Sequence, residues 1–213
     1  MATATATATR GRPPTNGAVE DRAGQLVEIA CRLFAVHGYE GTSLRDIAEE
    51  AQITKAALYY HFPNKEALYQ QIVIEKLQAL FERVSAAVDK AGGATDKVRT
   101  FMLTSARIYA ESPHAWVAGS NAFWSGMGPE SRAATVKCRD RYEKLLRACI
   151  REGVASGEFR EVDAAITGRL LLSVMNQLSR WHSPKGRLSA TEVIEQYLDI
   201  ILPGLRRSPS AKR

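Results

Sequence analysis

Cysteine is scarce in this chain: Cys31, Cys138 and Cys149 are the three in 213 residues, odd in number and widely spread. That distribution argues against a disulfide framework and suits reduced thiols on helix faces, and a zinc site would need tighter clustering. Histidine is nearly as sparse at four, and C-x-x-C, H-E-x-x-H, G-x-x-x-x-G-K and G-x-G-x-x-G are all missing. The usual signatures of metal, nucleotide-phosphate and dinucleotide chemistry are therefore absent. No nucleophile, base and orienting group can be assembled from what remains, so neither catalysis nor a cofactor nor a metal is expected.

Long apolar runs are missing as well. The longest stretch without a charged side chain, residues 112–129, holds two Pro and three Gly, which a membrane-spanning helix does not accommodate. The opening MATATATAT has neither a cationic start nor a sustained apolar stretch, so it does not read as a secretory signal, and a cytoplasmic location is expected. Nothing alternates like a half-buried strand. The Ala-Thr run at residues 2–9 has period two but little to bury.

What is present is an ordinary globular composition, 45% hydrophobic and 24% charged, on a chain long enough for one or two modest domains with a real core. The net charge of +6 is unevenly placed: residues 1–19 carry +2, residues 20–70 carry −3, residues 71–205 carry +3 and residues 206–213 carry +4. Basic ends of this kind are usual places of weak contact with nucleic acid, and equally usual solvated ends.

Gly, Pro, Ala and Thr dominate residues 1–17, which reads as a flexible arm. From Leu26, the spacing of Leu26, Ile29, Ala30, Leu33 and Phe34 marks one face of an amphipathic helix that stops at Gly38. Ser43-Leu-Arg-Asp46 is a capping pattern before Ile47, Ala48 and Ala51, so a short second helix starts at Thr42 or Ser43. Lys55 to His61 is a third. Pro63 interrupts, Asn64 can cap, and a long periodic stretch with Leu68, Ile72, Leu77, Leu80, Phe81, Val84 and Val88 runs to about residue 90. Beyond Gly92-Gly93, further helices are expected at about 95–111, 113–124, 130–156, 160–182 and 189–205. The expected fold is all-α.

Two short helices joined by a tight turn, Ser43 to His61, have the size of a helix-turn-helix, whose second helix enters the major groove. Leu44, Ile47, Ala48, Ile53, Ala57 and Leu58 would fix the angle between them, leaving Thr54, Lys55, Ala56, Tyr59, Tyr60 and His61 outward. Small side chains early in the reading helix let its backbone approach the bases, while phenols, hydroxyls and amines reach phosphates. The run FAVHGYEGTSLRDIAEEAQITKAALYYHFPNKEALY resembles the DNA-binding signature of TetR-family (tetracycline-repressor-like) transcriptional regulators, over about residues 22–70.

That resemblance implies an N-terminal three-helix DNA-binding domain and a C-terminal helical domain for ligand binding and dimerisation. It also implies a homodimer on a palindromic operator, released by a small-molecule effector. The corresponding divisions are an arm at 1–19, the helix-turn-helix domain at 20–70, the effector domain at 71–205 and a basic tail at 206–213. By position, Thr42, Ser43 and Arg45 would begin the supporting helix and Thr54, Lys55, Ala56 and Ala57 would face base edges. Tyr59, Tyr60, His61 and Lys65 match phosphate-contacting positions, with a core aromatic as the other reading of Tyr59. Gln52 stands where the family usually has Gly in the turn, so a positive φ there would carry a steric cost. Arg10-Gly-Arg-Pro13 resembles an AT-hook core, in which Arg10 and Arg12 would enter a narrow minor groove; an unstructured arm is the alternative.

The apolar faces of the last two helices, with Ile166, Leu170, Leu171 and Val174 on one and Ile194, Leu198 and Ile201 on the other, are broad enough to bury more than one neighbour. In the family they pair with their mates across the dimer axis. Two-fold symmetry would then set two reading helices about 34–36 Å apart, in successive major grooves. Small-molecule pockets are mostly apolar with few polar groups. Candidate ligand-binding residues are Met102, His114, Trp116, Asn121, Phe123, Trp124, Met127, Met175, Arg180 and Trp181. The segment around Arg180-Trp181-His182 resembles family members that sense acyl-CoA thioesters, with Arg180, Lys185 and Arg187 available to CoA phosphates. Residues 131–151 add seven cations against two anions, suited to an anionic ligand or to a solvated helix face with Arg139–Glu143 and Asp140–Lys144 pairs. An architectural DNA-binding protein with no specific operator is the competing reading.

Overall fold

The computed structural model describes residues 16–121 and 128–206. Among these there are nine helices and no strand: α1 (Asn16–His37), α2 (Leu44–Glu50), α3 (Lys55–His61), α4 (Lys65–Val88), α5 (Ala94–Glu111), α6 (Pro113–Asn121), α7 (Pro129–Ser156), α8 (Ala164–Trp181) and α9 (Ala190–Leu205). The all-α expectation holds. Arg10 and Arg12, Phe123, Trp124 and Met127, and the tail beyond Arg206 lie outside the described residues.

Local chemistry sets the ends. Gly38 takes φ 74° and closes α1. Ser43 caps α2 through the expected reciprocal box, its hydroxyl accepting from the Asp46 amide at 3.2 Å while the Asp46 carboxylate accepts from the Ser43 amide at 2.8 Å. Thr54 and Asn64 cap α3 and α4 through the same side-chain acceptance from the third residue on. The eighth helix starts later than its apolar pattern suggests. Asp163 caps it, accepting from Ala165 and Ile166, whereas the Arg160 amide donates to the Leu205 carbonyl and ties the preceding segment to the end of α9.

The buried side chains form two cores. The larger gathers α4, α5, α7, α8 and α9 around Phe101, Met102, Leu146, Ile150, Leu171, Met175 and Leu198. The smaller joins α1, α2, α3 and the first half of α4 around Phe34, Ile47, Leu58, Leu68 and Tyr69. Each large apolar side chain buried in this way contributes about 1.5–3 kcal/mol. Helix α4 serves both cores, with Leu68 to Val73 in the smaller and Leu80 to Val88 in the larger.

The smaller core also draws on residues beyond 70. Ala115 and Ala118 of α6 are buried in the smaller core, and the Tyr69 hydroxyl donates to the Ala118 carbonyl at 2.7 Å. Helix α6 is thus a structural member of the N-terminal half although it follows α5 in the chain. Small side chains on this face let α1 and α4 approach it closely, and the one polar group placed there finds a partner.

Candidate functional site

The outward chemistry of the N-terminal half concentrates on α3. Of its seven residues Leu58 alone is buried; Lys55, Ala56, Ala57, Tyr59, Tyr60 and His61 are exposed. Tyr60 is 86% exposed, the highest value among the exposed large apolar side chains, and Tyr59 is 45% exposed with the Lys55 ammonium 5.6 Å from its ring centroid. At these exposures neither ring is a core side chain, and both phenols are open to a partner. Ala57 does not hold the helix pair together as its apolar character suggests. Leu44, Ile47, Ala48 and Leu58 do, with Ile53 half-buried.

Three candidate residues have side chains committed within the fold. Thr42 is buried, and its hydroxyl donates to the Leu33 and Gly38 carbonyls at 3.2 and 2.9 Å, so it locks the α1–α2 turn and cannot offer that side chain to DNA. The Thr54 hydroxyl accepts from the Ala57 amide as the α3 cap. The Lys65 ammonium donates to the Tyr39 carbonyl at 2.7 Å and lies 4.2 Å from that ring's centroid. Arg45 is exposed and pairs with Glu49 one turn away. Thr42, Ser43, Tyr59 and Lys65 nonetheless meet at one shallow cleft of about 380 Å³, where the α2 N-terminus faces the α3–α4 turn. The Asp46 and Glu40 carboxylates share that cleft, Asp46 holding the Ser43 amide and Glu40 lying 3.9 Å from the Lys65 ammonium, so its cation and helix-start amide are already met within the fold.

The turn that aims α3 carries strain at Gln52, the one described residue other than Gly with positive φ, at 54°. Its amide donates to the Glu49 carbonyl and the next amide to the Ala48 carbonyl, so the left-handed residue reverses the chain without losing backbone bonds.

The second site is a cavity of about 420 Å³ bounded by α1, α4, α5, α6, α7 and α8. Leu77, Leu80, Ile108, Ala115, Trp116 and Leu172 give it an apolar lining. Charged groups around it are matched: Lys76 with Glu28 at 2.5 Å, Arg83 with Glu111 through two bonds at 2.6 and 2.8 Å, and Glu143 with Arg147. The Arg83 bonds lower the Glu111 carboxyl below its usual range and raise the Arg83 guanidinium. Tyr142 is buried at the wall with its hydroxyl 2.6 Å from Ser105, and burial raises the phenol.

Of the candidate ligand-binding residues, the cavity lining includes Trp116. Met102 and Met175 are fully buried in the larger core and His114 is exposed at the α6 start, and none of the three lines it. Arg180, Trp181, Lys185 and Arg187 stand at the α8–α9 connection and do not line it either. The side chain of Asn121, like Phe123, Trp124 and Met127, lies outside the described residues. The cations at the cavity are instead Lys76, Arg83 and Arg139, with Glu28, Glu111 and Glu143 as the acids. Sequence patterning missed them because they come from four helices; the one local signal was the i, i+7 spacing of Lys76 and Arg83 on α4. In α7 Glu143 pairs with Arg147 one turn on.

Cys31 and Cys149 are buried, and desolvation pushes their thiols up to about 12 and about 11, so both stay protonated and inert. Among the described residues no group of His, Cys, Asp and Glu could hold a metal, and no helix is long and apolar enough to cross a membrane.

A short capped helix pair presenting one exposed face, followed by a larger helical half with an apolar cavity, defines a helix-turn-helix regulator of two-part build. Comparison with known proteins gives the family. The description "Bacterial regulatory proteins, tetR family" fits residues 26–72, and "Tetracyclin repressor-like, C-terminal domain" fits residues 91–205. The chain belongs to the TetR family of transcriptional regulators. It is 30% identical over 202 residues to the HTH-type transcriptional repressor KstR2 of Mycolicibacterium smegmatis, covering 94% of this chain and 98% of that protein. Among solved structures it is similar to the TetR family regulator PfmR from Thermus thermophilus, with TM-score 0.79 and 39% identity over 86% of this chain and 100% of the other. It is also similar to AibR in complex with isovaleryl coenzyme A and operator DNA, with TM-score 0.74 and 26% identity over 87% and 98% of the two chains.

Proposed function

We propose that this protein is a cytoplasmic, ligand-responsive repressor that binds a palindromic operator as a homodimer and is released by a small effector, an acyl-CoA thioester. The observation that carries the reading is the shared wall of the cavity: α1 and α6, both members of the DNA-binding half's core, line the same space as α5, α7 and α8. A ligand entering there touches α1, which packs against α2, the helix on which α3 rests. An effector shifts the equilibrium only if it binds the two arrangements unequally, and a wall drawn from both halves provides that inequality.

The DNA contacts in this reading are Ser43, Arg45, Lys55, Ala56, Ala57, Tyr59, Tyr60 and His61, with Arg10 and Arg12 of the arm entering the minor groove. Dimerisation uses α8 and α9, whose outer faces leave Ile166 at 61%, Leu170 at 51% and Ile200 at 74% exposure. Apolar side chains of this size lined along two helices are the composition of a self-complementary interface. The acyl group fills the apolar cavity, whose volume suits a short or branched chain, and the CoA portion extends outward. That the similar AibR is described with isovaleryl coenzyme A supports the class.

The test is selection of bound sequences from random duplex DNA by the purified protein, repeated with a panel of acyl-CoA thioesters and the free acids. A palindrome lost on addition of one thioester is the expected result. A palindrome indifferent to the whole panel would retain the regulator and discard the ligand class; no enriched sequence at moderate salt would discard the operator.

A further inference from the structure

Lys76 and Arg83 lie two turns apart on one face of α4, and both line the cavity. Each is neutralised by a carboxylate from a different helix, Glu28 of α1 and Glu111 of α5. We propose that these two cations are a phosphate-receiving subsite at the cavity mouth, and that a phosphate group of the effector takes the place of Glu28 on Lys76, breaking the ion pair between α1 and α4. The inference rests on the effector reading above and gives it a point of entry into the DNA-binding half.

The two pairs are unequal. Glu111 holds Arg83 in a planar two-bond fork, the stronger and more directional arrangement. Glu28 meets the Lys76 ammonium through one bond at 2.5 Å and accepts from the Ser112 hydroxyl at 3.2 Å. The Lys76 and Glu28 side chains are 34% and 53% exposed, so an incoming ligand reaches them from solvent. An exposed ion pair of this kind is worth about fivefold at most in an equilibrium, which a phosphate with two negative charges outcompetes. Glu28 then faces an anion and loses its tie to α4. Helix α1 also carries the carbonyl of Leu33 that anchors Thr42 and pairs with α2 through Arg32 and Glu50, so a change in its seating reaches the supporting helix directly.

The experiment uses the full-length chain and inorganic pyrophosphate as the probe, titrated calorimetrically into wild type, Glu28→Gln and Lys76→Gln. Glutamine at 28 keeps an acceptor for Ser112 and removes the competing charge, so pyrophosphate should bind about fivefold tighter; glutamine at 76 should weaken it by about tenfold. On the selected operator with no ligand, Glu28→Gln should bind a few-fold more weakly than wild type. Equal pyrophosphate affinity in the three proteins, or unchanged operator affinity in Glu28→Gln, overturns the proposal. Isovaleryl-CoA separates it from the effector reading. Binding that Lys76→Gln leaves untouched overturns the subsite and keeps the thioester; a pyrophosphate series as expected with no thioester binding supports the subsite and discards the thioester.

Discussion

The two halves of the molecule turn their chemistry in opposite directions. In the DNA-binding half, apolar side chains point inward and phenols, hydroxyls and cations line the outside of α3 and the α2 start. In the effector half, charged groups pair around an internal cavity while the outer faces of α8 and α9 are apolar. An outward polar face needs a rigid support, and short capped helices on a small core supply it. In the proposed reading the cavity opens to a ligand and the outer face closes on a second chain, and both have the larger core behind them.

The sharpest break in this comparison is made at α8 and α9. Leu170→Asp together with Ile200→Asp places charge on the apolar outer faces without touching either core, and should yield a folded monomer in sedimentation. Operator affinity should fall by about a hundredfold or more, because the second half-site is no longer bound at high effective concentration. A dimeric double variant would show that the outer face is not the interface.

Ala118→Leu attacks the shared wall. The added carbons have no space between α1, α4 and α6, and a loss of about 1–3 kcal/mol in urea unfolding is expected. A change near zero would mean that the halves pack loosely at α6. Tyr60→Ala should do the opposite, weakening all operator sequences by roughly three- to tenfold with stability moved by less than about 0.5 kcal/mol. Altered sequence preference in a binding selection would instead make Tyr60 a reader of bases.

Acid should act more gently, and on the C-terminal half. Glu158 accepts from the Ala94 and Thr95 amides and the Thr95 hydroxyl at the α5 start, which lowers its carboxyl below the usual range. The approach is possible because Gly93 has no side chain: a Cβ there would lie 2.6 Å from a Glu158 oxygen. A depressed carboxyl stabilises the fold fully above the unfolded value of about 4.3 and loses that effect as pH falls through the lower folded value. Thermal unfolding of wild type and Glu158→Gln should therefore differ at neutral pH and converge in acid. A gap that persists below about pH 3 would assign the difference to shape.

The smallest effect is expected at Gln52→Gly. Relief of the left-handed conformation is worth about 1–2 kcal/mol, and the greater freedom of Gly when unfolded returns about half of it, leaving a gain of about 0.5 kcal/mol in denaturant unfolding. A loss would mean that the Gln side chain makes a contact outweighing the backbone strain.

The same asymmetry explains what was legible in the sequence. The DNA-binding half is local: its caps Ser43, Thr54 and Asn64 and its helix ends are fixed by neighbours three or four residues away, and a contiguous pattern reports them. The cavity is assembled from residues far apart in the chain, and composition alone does not report which aromatic and methionine side chains meet there. Met102 and Met175 then proved to fill the core that surrounds the cavity rather than its wall. Thr42 lies at the start of the supporting helix as its position implies, but its hydroxyl is drawn inward by the carbonyls of Leu33 and Gly38, which no local pattern shows.

The placement of Ala115 and Ala118 bears on modularity. An exchange of effector halves between relatives, cut where α4 ends at Val88, would give the DNA-binding half a foreign α6 beneath Tyr69 and α1. Chimeras that carry α6 with the DNA-binding half, or that restore the two small residues and the carbonyl facing Tyr69, are the ones in which a new sensor could be joined to an old operator. Recombination at the chain's apparent seam would instead cut through a core.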